Sequence, residues 1–410
     1  MAKKKETGVR KPFNISMLAE GMAKAGFDLN TLKESDFVVP TEWISTGSYI
    51  LNAQLSGSIY GGIPNTRIAE FAGDPGTGKT FVCLNLVREA QKMGYHVIYI
   101  DTEGALPEGP DMKRIGVNFD LMTVENEIYT VAKLSNYMVN LIEQCEKLVA
   151  QGTDPRVIVF VDSVGMLSTD KEVEDTARGH DASDMGLKAK QLKKFFTLTV
   201  RRLSNLKIPM IFTNHVYSGG MYEAKKASGG QGHVFAASNI LFFSKSHLKN
   251  DPEEEKKKTG IIVHSQPYKI RFAQPTEIDF KIEFKKGMNK FDFLQEYVTW
   301  EECGIEKGKI VTKKDYDKMK DAAGYPFEHV DKNTGEIRDL VFLPSSTGRW
   351  CVKHLGKSLP SESLLFNEEV FTDSVLQDLD KNIIQPGFKY PENVILKDDV
   401  LFSQDEEDEE

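Results

Sequence analysis

The run Gly73-Asp74-Pro75-Gly76-Thr77-Gly78-Lys79-Thr80 has the spacing GxxxxGK[ST], and it lies where a phosphate-binding turn has to lie. A strand-like segment, 67–72, leads into it and a helix-like segment, 81–93, leads out. Glycines at these positions let backbone N–H groups turn toward a polyphosphate, while Lys79 reaches the β- and γ-phosphates and the Thr80 hydroxyl ligates Mg²⁺. Nucleotide chemistry of this kind also needs carboxylates at the ends of neighbouring strands. Residues 157–162 read VIVFVD, five apolar residues closed by an acid, which makes Asp162 the expected support for the metal. A second apolar run ends in Asp101-Thr102-Glu103. Asp101 closes that strand and caps its turn, leaving Glu103 as the candidate catalytic base for water. A third run ends in Thr213-Asn214-His215, where His215 is placed to sense the same phosphate.

Two further stretches suit contact with something long and anionic. Residues 185–207 are helix-like and carry Lys188, Lys190, Lys193, Lys194, Arg201, Arg202 and Lys207 with no acid between them. On this signal alone a solvated or subunit-facing basic surface accounts for them as well as nucleic acid does. The segment 216–233 places Tyr217, Tyr222, Lys225 and Lys226 among Gly219, Gly220, Gly229, Gly230 and Gly232. Pliable backbone with lysines and aromatics fits a loop that tracks phosphates and inserts between bases of a single strand.

These residues need a scaffold that brings strand ends together. Strand-like segments at 67–72, 96–101, 157–162 and 209–214 alternate with helix-like ones at 80–93, 126–151 and 184–206. That alternation predicts βαβ units and a parallel α/β sheet covered on both faces, with ligands at the carboxyl ends of its strands. Short runs at 239–244, 261–264, 268–272 and 278–285 read as antiparallel additions to one side of the sheet, with a charged hairpin tip at 250–260. Beyond residue 287 the period fades into a smaller α+β unit. Near the front, 14–28 carries an apolar stripe at near-helical spacing.

The chain has 410 residues, 40% of them hydrophobic, which suits one large α/β unit with appendages. Its net charge of -9 argues against a uniformly basic coat on nucleic acid, but the charge is segregated: lysines and arginines open the chain and 405–410 is wholly acidic. The four cysteines, at 83, 145, 303 and 351, are too far apart for a zinc knuckle or redox pair, which fits a reducing, cytosol-like compartment. No run is long and apolar enough for a membrane span.

The order of these features resembles the RecA-family recombinases. Ile44-Ser45-Thr46-Gly47-Ser48, Gly61-Gly62-Ile63-Pro64, 67–70 and the phosphate loop follow one another as in bacterial RecA. So do Asp101-Thr102-Glu103, Ile115-Gly116-Val117, Val161-Asp162-Ser163, Met185-Gly186-Leu187, 212–215 and Gly229-Gly230, across about residues 40–290. Within the family the chain most resembles the phage UvsX-type recombinases, which share the Asn-His ending of the strand, the run 162–165 and an acidic tail.

The resemblance implies a RecA-like P-loop core at 41–290, a polymerisation element at 1–40, a small C-terminal domain at 291–403 and an acidic tail at 404–410. It implies a DNA-dependent ATPase that filaments on single-stranded DNA and exchanges strands with homologous double-stranded DNA, helped by a single-strand-binding protein and a loading mediator. The expected place is the cytoplasm, that of the host if the protein is phage-encoded. A hexameric helicase or motor on the same core is the alternative, and a small-molecule phosphotransferase a more distant one. By position, the 73–80 loop, Lys79, Thr80 and Asp162 hold ATP and Mg²⁺, Glu103 activates water and His215 couples the γ-phosphate to DNA affinity. The first DNA loop is expected at 168–190, with Met185 and Lys190. The second is expected at 216–233, with Lys225, Lys226, Ser228, Gly229, Gly230 and Gln231. Lys269 and Arg271 are the counterparts of basic residues that touch a neighbouring subunit's phosphates. One departure stands out: the family's adenine-stacking tyrosine is replaced by Asp111.

Overall fold

The computed structural model describes residues 15–26, 40–179, 185–217, 226–227, 229–248, 258–294 and 370–391, and five short strands between 328 and 360. Contacts divide the chain into 1–40 and 41–410. The first unit contributes helix α1 (Ile15–Lys24), which leaves Leu18 exposed.

In the second unit, β1 (Trp43–Ile44) pairs antiparallel with β2 (Ile63–Pro64), and α2 (Tyr49–Ser56) lies between them in sequence. The centre begins with β3 (Ile68–Gly73), α3 (Lys79–Lys92), β4 (His96–Asp101), α4 (Gly109–Ile115) and β5 (Met122–Glu125). It continues with α5 (Val131–Ala150), β6 (Val157–Asp162), α6 (Asp170–Ala177), α7 (Met185–Asn205) and β7 (Met210–Asn214). A small pair, β8 (Val216–Tyr217) and β9 (Lys226–Ala227), precedes α8 (Gly232–Ala236). Then come β10 (Asn239–His247), β11 (Gly260–Lys269) and β12 (Ile278–Glu283).

The eight-stranded sheet has the order β12-β11-β10-β3-β7-β6-β4-β5. From β10 to β5 the strands are parallel, and β11 and β12 are added antiparallel at one side. This matches the expected α/β class and the antiparallel addition. Two local expectations are corrected. The run at 261–264 and the start of the run at 268–272 belong to one strand, β11, which ends at Lys269 and carries one extra residue, Tyr268, between the pairs Leu241–Pro267 and Ile240–Lys269. The edge strand β5 was not anticipated, since its four residues are partly exposed and carry no apolar run.

Alternation along the buried strands separates two cores. Phe71, Tyr99, Phe160 and Phe243 point to the face covered by α2 and α3, through Leu51, Leu55, Val82 and Leu86. Ile100, Val161, Phe212 and Ile240 point to the other face, covered by α5 and α7. On α7 the buried positions Leu192, Phe195, Phe196, Thr199 and Leu203 recur at three- and four-residue spacing, so the basic residues fall on the opposite side. The first core is not closed by residue 290. Val370, Phe371, Val375, Leu379 and Phe388, from the stretch expected in a separate C-terminal domain, pack into it, and Asp380 accepts from Ser58 Oγ and the Ile59 N–H, both at 2.8 Å.

Candidate active site

The phosphate loop joins the carboxyl end of β3 to the start of α3. Gly78 is the N-cap at φ 91°, with no side chain capping the first turn, so the leading N–H groups of a 14-residue helix are left for an anion. Lys79 Nζ donates to the Gly73 carbonyl at 2.8 Å and the Asp74 carbonyl at 3.1 Å, which lays the ammonium across the loop. Burial pulls the Lys79 ammonium below its ordinary pKa, against the opposing fields of Glu103, Asp162 and Asp74. Lys245, from β10, donates to the carbonyls of Pro75 and Gly76 at 2.9 and 3.0 Å and braces the loop from outside. Nothing in the linear sequence marked Lys245, which meets the loop only because β10 lies beside β3.

Sheet order then brings three further strand ends alongside. Asp162, 2% exposed, accepts from Thr80 Oγ1 at 2.7 Å, from Tyr99 Oη at 2.8 Å and from Thr213 Oγ1. The Thr80 hydroxyl and the Asp162 carboxylate thus meet beside the loop, an all-oxygen pair of the kind Mg²⁺ selects. These residues fit the metal.

Next to them, Glu103 Oε1 lies 2.9 Å from His215 Nε2 and accepts from Ser163 Oγ at 2.5 Å. Asp101 takes the expected capping role, accepting from the N–H groups of Glu103, Ala105 and Leu106. That cap fixes the turn that aims Glu103. Ser163 and Tyr99 had no assigned role from sequence, since a serine after a strand and a tyrosine inside one look like ordinary structure.

The loop, Thr80, Glu103, Asp162 and His215 line one cavity of about 460 Å³. Thr80, Phe81, Ala105 and Phe284 are shared with an adjoining cavity of about 380 Å³ that runs past Arg88, Pro107, Asp111, Arg114 and Gly287. Asp111 is ion-paired with Arg114 there, so its side chain offers no flat apolar face. Phe284, 56% exposed at the junction, does.

The RecA N-terminal domain model matches residues 27–289 of the chain. The chain belongs to the RecA family. It is 29% identical over 309 residues to the RecA protein of Caulobacter sp. strain K31, covering 74% of this chain and 76% of that protein. It is 24% identical over 309 residues to the recombination and repair protein of Enterobacteria phage T4, covering 75% and 72%. To the mitochondrial DNA repair protein recA homolog 3 of Arabidopsis thaliana it is 30% identical over 256 residues, covering 60% and 54%.

The RecA-family DNA positions are distributed as follows. Met185 opens α7, and Lys190, Lys193 and Lys194 are exposed along it. Two basic residues of this helix are engaged within the protein, which narrows the expected basic face. Lys188 Nζ donates to the Gly165 carbonyl at 2.7 Å, and Arg202 pairs with Glu146 of α5 at 2.7 Å. Gly229, Gly230 and Gln231 lead into α8, which rests on α7. A Cβ at Gly230 would come within 2.9 Å of the Ala189 Cβ, and one at Gly232 within 2.7 Å of the Lys193 Cα. The end of the second expected loop and the start of the basic helix are therefore neighbours. Lys226 lies in β9, while Lys225 and Ser228 fall outside the described residues.

Lys269 and Arg271 are not at this chain's own phosphate loop. Lys269 pairs in register with Ile240, at the amino end of β10, whereas Phe243 is the residue beside Gly73. Lys269 Nζ donates to the carbonyls of Val234 and Ala237, both at 2.7 Å. Among the described residues no group of three or more His, Cys, Asp or Glu side chains forms a metal cluster, and no helix is long and apolar enough to cross a membrane.

Proposed function

We propose that this RecA-family chain is a DNA-dependent ATPase that forms a helical filament on single-stranded DNA and pairs it with homologous duplex for strand exchange. The observation that carries the reading is the convergence of Lys79, Thr80, Asp162, Glu103 and His215 on one cavity, from the ends of four adjacent strands.

The N–H groups of 76–80 and Lys79 hold the phosphates of ATP, and Thr80 with Asp162 holds Mg²⁺. Mg²⁺, when bound, neutralises charge on the phosphate oxygens. Glu103 takes the proton from the attacking water, with Ser163 and the Asp101-capped turn keeping Oε1 in place. His215 changes partner between Glu103 and the γ-phosphate, so the state of the nucleotide alters the end of β7 and the chain leading into the second loop. Asn214 and Gly165 lie against His215, and Lys188 of α7 holds Gly165. Nucleotide state thereby reaches both expected DNA segments.

Met185, Lys190, Lys225, Lys226 and Ser228 to Gln231 meet the single strand. Lys269 and Arg271, remote from their own loop, serve the nucleotide of an adjacent subunit, and the stripe of α1 docks on a neighbour. A single-strand-binding protein and a loading mediator are the expected partners in the cytoplasm of the cell or host. ATP hydrolysis measured with and without single-stranded DNA, alongside a D-loop assay, tests this. DNA-stimulated turnover with D-loops is the expected result; polar unwinding of forked duplex without D-loops would instead make the protein a ring motor.

A further inference from the structure

Glu70 is a carboxylate with no exposure at all, in a central strand of the sheet and on a face lined mainly by apolar residues. A charge in such a place is costly unless both oxygens are partnered. Among the described residues each oxygen has one partner, and the partners come from different elements, β7 and α8. Oε1 accepts from Asn214 Nδ2 at 2.9 Å. Oε2 accepts from His233 Nδ1 at 2.7 Å.

Asn214 ends β7, and its own Oδ1 accepts from the backbone N–H of His215 at 2.9 Å. His233, 1% exposed, belongs to α8, the segment in which the second loop ends and which is seated on α7. Its ring lies edge-on to Phe212 of β7, with centroids 6.4 Å apart. Its Nε2 is buried and has no hydrogen-bond partner among the described residues, so the imidazole is held from one side only, by Glu70. Glu70 itself stands three residues before Gly73, on the strand that carries the phosphate loop.

We propose that Glu70 and His233 are positioning residues that couple the nucleotide site to the stem of the second loop. A shift of Asn214 and His215 on nucleotide binding changes one side of the carboxylate, and the seating of His233, hence of α8, responds on the other. Withdrawal of His233 would strand a buried charge, so the stem follows the carboxylate and does not move independently. The consequence for DNA rests on the function proposed above, but the coupling itself concerns only nucleotide and protein.

The test uses the full chain, with a slowly hydrolysed ATP analogue and Mg²⁺, and reads amide hydrogen exchange across 229–236 without DNA. In the wild type the analogue should slow exchange there by about tenfold or more, equivalent to about 1.4 kcal/mol. Glu70→Gln keeps an acceptor for Asn214 and a donor for the other tautomer of His233, and should retain the response. Glu70→Gln combined with His233→Leu removes the link without leaving a buried charge. It should bind the analogue with affinity within about threefold of wild type and lose the exchange response. A folded double variant that keeps the full response overturns the proposal. So does a double variant that fails to fold while Glu70→Gln folds, which would make the pair structural, and so does a wild type with no response. Single-stranded DNA affinity with analogue and with ADP is measured in parallel. If exchange responds but wild-type DNA affinity does not differ between nucleotides, the coupling stands and the recombinase reading fails.

Discussion

Glu103 and His215 share a contact: the carboxylate Oε1 and the imidazole Nε2 are 2.9 Å apart, although the residues end strands separated in the sheet by β6. The group proposed to activate water is thus in contact with the group proposed to sense phosphate. Glu103→Gln, which keeps size and hydrogen bonding but cannot take a proton, is expected to lower kcat by about 10²–10⁴-fold with ATP affinity little changed. Single-turnover hydrolysis with separate nucleotide binding checks this, and a matched loss of both would assign Glu103 to binding.

Lys79→Ala removes the ammonium that lies over the Gly73 and Asp74 carbonyls and leaves Lys245 on those of Pro75 and Gly76. ATP binding and turnover should both fall, by about 10²-fold or more in kcat/KM, because the developing phosphate charge loses its counter-charge. Thermal unfolding without nucleotide should change little, or rise slightly, since the lysine is buried at a desolvation cost. Wild-type turnover in this variant would remove the loop from the mechanism.

Phe284 borders both cavities and is half exposed, whereas Asp111 is occupied by Arg114. Phe284→Ala is expected to raise KM for ATP by about tenfold, with kcat nearly preserved, as loss of a stacked base costs about 1–3 kcal/mol. Tripolyphosphate, which has no base, should bind both forms equally. Equal weakening for both ligands would place Phe284 at the phosphates and not at the base.

Asp292 is buried, its Oδ2 has no hydrogen-bond partner among the described residues, and burial raises its pKa from 3.8 to about 6, with Lys281 opposing and Glu283 adding. The folded state therefore prefers the neutral acid. The stability this contributes is complete below the unfolded value near 4 and is lost as pH rises through about 6. Asp292→Asn should raise stability above pH 6 by an amount on the order of 2 kcal/mol and flatten the profile between pH 4 and 6. Denaturant melts across that range read it directly, and parallel profiles for variant and wild type would contradict it.

The phosphate loop, the strands ending at Asp101, Asp162 and Asn214, and the α/β class were legible because each is encoded locally. Glycine spacing fixes a turn, and an apolar run closed by an acid marks a strand buried on both faces. Lys245, Phe284 and the Glu70–His233 pair were not legible. Glu70 and His233 are 163 residues apart and meet only through the packing of α8 on the central sheet, while Lys245 reaches the loop only because the strand order sets β10 beside β3. The same holds for the basic helix: its charges are in the sequence, but which of them Glu146 and Gly165 take up depends on how α7 crosses its neighbours.

By itself, then, the sequence determined which residues can do the chemistry and on what kind of element each rides, since spacing, turn residues and apolar period act over a few positions. Only the tertiary structure decided which strand ends stand side by side, and so which carboxylate faces which hydroxyl, lysine or imidazole. Strand order is a property of the whole sheet, set by crossovers and by the packing of both cores, and no local pattern contains it.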